Sequence, residues 1–176
     1  TSITGHGRID GNGAAFFGPL PPGGKKLPIR DRRPGQMVCF VECAKVRVRD
    51  VSLDNAPYWT LFLHGCADVS IRGVRISNPP ETRNGDGIDV DCCADVTISD
   101  CVIRSGDDCI TLRGVPRLLK DPAKICRNTT VTNCVLSTPC NAIRVGVGDG
   151  SVRDAVFSNI VVTETRNGIC LIGNYR

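Results

Sequence analysis

Three aspartates in one short stretch carry the chemistry this sequence is equipped for. In residues 84–112, NGDGIDVDCCADVTISDCVIRSGDDCITL, Asp86 stands two residues before Ile88, and Asp108 stands two before Ile110 with Asp107 beside it. The runs D-G-I-D-V and D-C-I-T-L alternate apolar and polar residues, the pattern of strands with one buried face. They are 22 residues apart. If that interval is one turn of a coil, equivalent strands lie side by side at ~4.8 Å and Asp86 and Asp108 become neighbours. Carboxylates so placed repel, which raises the pKa of at least one. Cleavage of a glycosidic bond uses such a set: one group gives a proton to the leaving oxygen while another, ionised, activates water or attacks the sugar. The alternative is that Asp86 and Asp108 are turn residues capping strand backbone, a role that two adjacent aspartates stacked on a third fit poorly.

The coil is tested by its repetition. Residues 45–53 (KVRVRDVSL), 68–76 (DVSIRGVRI) and 95–103 (DVTISDCVI) align, and residues 129–136 and 155–162 continue the series. One ladder is apolar (Val48, Ile71, Ile98, Val131, Phe157) and a turn-former follows two residues on (Asp50, Gly73, Asp100, Asn133, Asn159). Successive copies are 23, 27, 33 and 26 residues apart, and a second apolar ladder runs Leu61, Ile88, Ile110, Ile143, Ile169. Matched copies with small turn residues at fixed offsets predict a solenoid. No 3.6-residue periodicity separates the strands, so an α/β layer is excluded. The expected fold is all-β, a right-handed parallel β-helix with about 22–33 residues per coil, forming a single segment over residues 1–176. Because 171–176 read as a strand with no cap behind it, the segment is expected to belong to a longer chain with further coils on its C-terminal side.

With 176 residues, 41% apolar, the chain is long enough for one core. Eleven cysteines permit a disulfide framework in a secreted or cell-envelope protein. However, Cys43, Cys66 and Cys93 fall on one ladder and Cys101 and Cys134 on another, where a free thiol packs as a small apolar residue. Cys109 and Cys140, on turns flanking the aspartates, are the pair best placed for a bridge. No apolar run has membrane-spanning length. Residues 16–34 interrupt the pattern with prolines, glycines and the cations Lys25, Lys26, Arg30, Arg32 and Arg33; such a loop is either solvated or, beside the cleft, attractive to a polyanion. The insertion at 112–126, with Arg113, Arg117, Lys120 and Lys124, invites the same reading as one rim of the cleft. Few aromatics and no recognition helix or zinc-finger spacing argue against nucleic acid. Asp86, Asp89, Asp107 and Asp108 lack the spacing of a calcium loop. No metal and no cofactor is expected, and His6, in a glycine-rich turn, reads as a surface residue.

Asn84-Gly-Asp86 followed by Gly106-Asp107-Asp108 on coils of a β-helix resembles glycoside hydrolase family 28, the polygalacturonases, with their Asn-Thr-Asp and Gly/Gln-Asp-Asp motifs. Residues 9–13 (IDGNG), Arg33-Pro34 and residues 55–61 (NAPYWTL) are similar to the family as well. The resemblance implies an inverting hydrolase in which Asp107 is the general acid and Asp86 and Asp108 orient and deprotonate water. Two later motifs depart from it. Cys140-Asn141-Ala142 stands where the family has Gly-His-Gly, and Cys170, Leu171 and Ile172 stand where it has Arg-Ile-Lys, so polygalacturonate itself is in question.

One residue past each inward position, the side chain should face outward: Phe62, Asp89, Thr111, Arg144, Cys170. Arg144 is thereby placed to hold a uronate or sugar hydroxyls, or else to neutralise the aspartates. Asn141 is placed to bind substrate in the histidine's stead. Trp59, on the Asp86 ladder, would stack on a sugar or fill a turn. The sequence thus reads as a monomeric hydrolase of a pectin-like or other polysaccharide or oligosaccharide, with neither a nucleic-acid nor a membrane partner. A non-catalytic carbohydrate-binding β-helix and a polysaccharide lyase are the alternatives, the latter having only Arg144 as its base.

Overall fold

The computed structural model describes residues 1–175, the side chains of 174 and 175 excepted; Arg176, included above in the last predicted strand, lies outside the described residues. Every paired strand is parallel to its neighbours and offset by one coil, as the repeat predicts. One ten-stranded sheet runs out and back through the long strand Cys126–Ser137. A six-stranded sheet, called here the second sheet, stacks Val38–Val41, Leu61–His64, Ile88–Asp91, Ile110–Gly114, Asn141–Gly148 and Asn167–Tyr175.

Both apolar ladders point inward. Val48, Ile71, Ile98 and Val131 are buried, as are Leu61, Ile88, Ile110 and Ile143. In the last coil the inward ladder is open, and Ile169 is 62% exposed. The turn-formers also behave as read: Asp50, Gly73, Asp100, Asn133 and Asn159 all take φ between 51 and 64°, a left-handed conformation that Gly, Asn and Asp adopt at the least cost. Asn133 and Asn159 hold it inside long strands, where each donates its side-chain amide to the residue one coil earlier, Asp100 and Asn133 respectively (3.3 Å each).

The thiols pack as apolar residues. Cys43, Cys66 and Cys93 share a ladder, joined by Cys126, which the sequence reading left out. The expected bridge is not made: Cys109 and Cys140 are both free. Cys109 instead lies 3.2 Å from the Ser105 hydroxyl, and the Cys140 thiol accepts from the Asn141 amide at 3.4 Å.

The two basic loops also differ from expectation. Past Arg113, the 112–126 insertion lies down on earlier coils and forms no rim of the cleft. Leu119 is buried against Gly65, and Lys124 donates to the Gly65 carbonyl (2.8 Å) and pairs with Glu42 (3.6 Å). Two cations of the 16–34 loop are structural clamps. Lys26 donates to the Gly106 and Pro80 carbonyls, and Arg33 to the Asn84 side chain (2.7 Å) and the Arg83 carbonyl.

Close packing of successive turns explains the glycine after Asp86. A Cβ on Gly87 would lie 2.4 Å from the Cys109 carbonyl oxygen and 2.6 Å from Ile103 Cγ2. Neither the backbone oxygen nor the core methyl can retreat. Gly87→Ala should therefore destabilise the fold by about 1–3 kcal/mol, read as a lower denaturant midpoint, and an unchanged midpoint would show that the turn tolerates the shift.

Candidate active site

The turn entering each strand of the second sheet delivers one side chain to a common column. The register of Leu61 with Ile88, Ile110 and Ile143 stacks Trp59, Asp86, Asp108 and Asn141 in successive coils, with Asn167 next to Asn141. Trp59, Asp86, Asp107, Asp108 and Arg144 line one cleft of about 450 Å³, together with Asn84, Thr111, Arg113 and Val147. Asp86 and Asp108 are buried and Asp107 is half-buried.

Backbone pinning sets the turns. Gly106 N–H donates to the Gly85 carbonyl (3.0 Å) and Gly87 N–H to that of Asp108 (2.9 Å). Thr60 donates its hydroxyl to the Asp86 carbonyl at 2.7 Å. Buried Asn78 donates to the Thr60 hydroxyl (2.8 Å) and the Gly85 carbonyl (3.2 Å). The Asp107 carbonyl accepts from Ser105 (2.6 Å) and Thr138 hydroxyls. These supports, with Lys26 and Arg33, were missed from sequence; the only trace they leave is a polar residue after an apolar strand (Asn78) and a basic loop between coils.

The aspartates have different surroundings. Asp108 accepts from Asn141 Nδ2 (2.5 Å), the Asn141 backbone N–H (3.3 Å) and Arg144 Nη1 (3.1 Å). Asn141 is oriented by Asn167, which donates to its Oδ1 at 2.7 Å. Asp86 has one oxygen with no hydrogen-bond partner. Burial, and then the charges of Asp89, Asp107 and Asp108, push its pKa well above the carboxylate range, against an opposing effect of Arg113. Cys140 Sγ and the Asp107 and Asp108 oxygens lie within 4.8 Å of one another. Burial and these carboxylates raise the thiol's pKa.

Arg113, placed in the basic insertion by the sequence reading, instead reaches into the cleft. Its guanidinium carbon sits 4.2 Å over the Trp59 ring, Nη1 lies 3.5 Å from Asp89 and Nε 3.6 Å from Asp91. Asp91 in turn is 3.4 Å from His64. The outward ladder runs Phe62, Asp89, Thr111, Arg144, Cys170, as predicted. Asp89 is nevertheless fully buried, and burial pushes its pKa up to about 7.

Residues 1–117, which include all three aspartates, match the family described as glycosyl hydrolases family 28. The chain belongs to that family. It is similar to polygalacturonase QRT2 of Arabidopsis thaliana, 26% identical with 98% of this chain and 44% of that protein covered. A probable polygalacturonase of Vitis vinifera is 28% identical, with 95% and 34% covered. The chain spans less than half the length of these relatives. Of solved structures, an exopolygalacturonase from Thermotoga maritima superposes with TM-score 0.71 at 25% identity, covering 77% of this chain and 31% of that one. The coil is accordingly the family's right-handed parallel β-helix. Asn141 and Arg144 lie beyond the matched residues.

Asp89 gives the site a pH signature. Its pKa is raised on folding from 3.8 to about 7, so between these values the unfolded chain loses a proton that the native state keeps. The native state binds more protons there, and stability falls as pH rises. The contribution is full below pH 3.8 and lost by about 7. Asp89→Asn should flatten this part of the Tm–pH curve; an undiminished slope would assign it to other groups.

Proposed function

We propose that the protein is a glycoside hydrolase that cleaves glycosidic bonds of a pectin-like polysaccharide by carboxylate acid/base catalysis with inversion. One observation carries the reading: Asp86, Asp107 and Asp108 meet in a single cleft on a chain of family 28. A secreted or cell-envelope location suits a polymer of this kind.

Asp107, the most exposed of the three, gives its proton to the leaving oxygen. Asp108, fixed by Asn141 and Arg144, orients the attacking water through its remaining lone pairs. Asp86 takes the water's proton on its unpartnered oxygen. Asn141 and Arg144 bind sugar with whatever donor capacity Asp108 leaves them; Arg144 serves the substrate and the carboxylate together. Inversion rests on family kinship, because side chains stacked on neighbouring strands, ~5 Å apart, would by separation alone suggest retention. The anomer first released, followed by proton NMR, decides between them.

Because Asp86 must be ionised to act, its raised pKa places the acid limb of the kcat/KM profile above the ordinary carboxylate range. Asp107→Asn and Asp108→Asn should each lower kcat roughly 10²-fold or more, and full turnover in either variant would remove that residue from the mechanism. Asn141→His should change the pH profile more than KM, since an imidazole keeps a donor for Asp108 but adds a titration; an unaltered profile would place Asn141 outside the chemistry. Reducing ends released without new ultraviolet absorbance separate hydrolysis from elimination, and binding without release would mark a carbohydrate-binding module.

A further inference from the structure

On the outer face of the second sheet, beside the catalytic column, buried polar atoms lack hydrogen-bond partners. They are both nitrogens of His64, Asp86 Oδ1, both oxygens of Asp89, Thr111 Oγ1 and Arg113 Nε. Buried polar groups are ordinarily satisfied, so a cluster of them in one place needs an explanation. Its geometry supplies one. Arg113 lines the cleft and Asp89 does not; the guanidinium lies between the cleft and the carboxylate, at 3.5 Å from Asp89 and 3.6 Å from Asp91. Both separations exceed a normal charged hydrogen bond.

We propose that Arg113 determines specificity: with Asp89 it forms a couple that recognises sugar hydroxyls and accepts a neutral sugar residue, in preference to a uronic acid, next to the catalytic carboxylates. The inference rests on the glycoside hydrolase reading and names the substrate class of that cleft. A carboxylate only accepts hydrogen bonds and a guanidinium only donates them. A hydroxyl does both, so one inserted between the two satisfies each, and a vicinal hydroxyl reaches Thr111, which also lines the cleft. A uronate carboxylate would satisfy Arg113 alone and, above pH 7 where Asp89 is ionised, would bring another negative charge toward it and Asp91. When Arg113 turns off the Trp59 ring, over which it lies at 4.2 Å, the exposed indole offers the C–H face of the sugar a stacking surface.

Trp59 is the chain's single tryptophan, so its emission reports on this subsite directly. The experiment titrates that emission above pH 7, where Asp89 is ionised, with an oligogalacturonide and with its carboxyl-reduced counterpart of equal length and linkage. The reduced oligomer should bind about tenfold or more tightly, the low end of what altered contacts in one pocket discriminate. Asp89→Asn should shrink that preference by relieving the repulsion of the uronic oligomer, and Arg113→Gln should weaken the reduced oligomer by about tenfold. Arg113→Lys, which keeps the buried counter-charge if Gln does not fold, should weaken it to a lesser degree. A uronic oligomer that binds as tightly or more tightly, a preference untouched by either substitution, or no binding of the reduced oligomer while a pectic polymer is still cleaved would each overturn the inference and leave the hydrolase intact. The expected preference without cleavage of any bond would support the subsite and overturn the hydrolase.

Discussion

Like charges stacked one coil apart are the constraint to which the rest of the cleft answers. Parallel register places Asp86 directly beside Asp108, and both are buried. Two ionised carboxylates at that spacing in a poorly solvated site would be strongly unfavourable. The structure separates their fates. Asp108 receives three donors from the next coil, whereas Asp86 keeps an unpartnered oxygen and takes up a proton readily. Arg113 and Arg144 approach from the strand side, each already engaged by an acid. The asymmetry that acid/base chemistry requires thus arises from which neighbour each identical side chain meets.

The same constraint explains why a loop far away in sequence carries cations. Turns holding adjacent acids tend to spread apart, and a solenoid offers each turn only its neighbours as support. Lys26 and Arg33 supply an external tie. One holds the Gly106 carbonyl immediately before Asp107, the other the Asn84 side chain two residues before Asp86. Arg33 also packs over Tyr58, 4.5 Å from its ring, next to Trp59. The interruption of the repeat between residues 16 and 34 therefore serves the site two and three coils on.

What was legible in the sequence follows from periodicity. Inward ladders, outward ladder and left-handed turn residues obey a fixed register, so Val48, Arg144 and Asp100 could each be placed from spacing alone. Groups whose position depends on how a long side chain folds back could not. Arg113 follows the strand residue Leu112, and nothing local tells whether it extends with the basic insertion or turns onto Trp59. The insertion itself was read by charge, but a single buried leucine, Leu119 against Gly65, fixed its direction. The Cys109–Cys140 expectation failed for a related reason: proximity of turns does not set the direction of Cβ, and here each sulfur is engaged by a different polar neighbour.

The family match ends at residue 117, and the coils beyond it are where the chain departs from the family's motifs. Those departures act together. Asn141 offers Asp108 an amide that cannot titrate, and Arg144 offers a cation that never loses its charge. Asn167 completes the column by fixing the amide's orientation. An imidazole at 141 would have given Asp108 a donor that titrates; the amide and the guanidinium do not. With Asp108 so held, the proton exchange of the proposed mechanism falls to Asp86, whose pKa burial raises, and to Asp107, and both lie within the residues that the family match covers. The divergent coils therefore fix one carboxylate, and the matched coils carry the two that exchange protons.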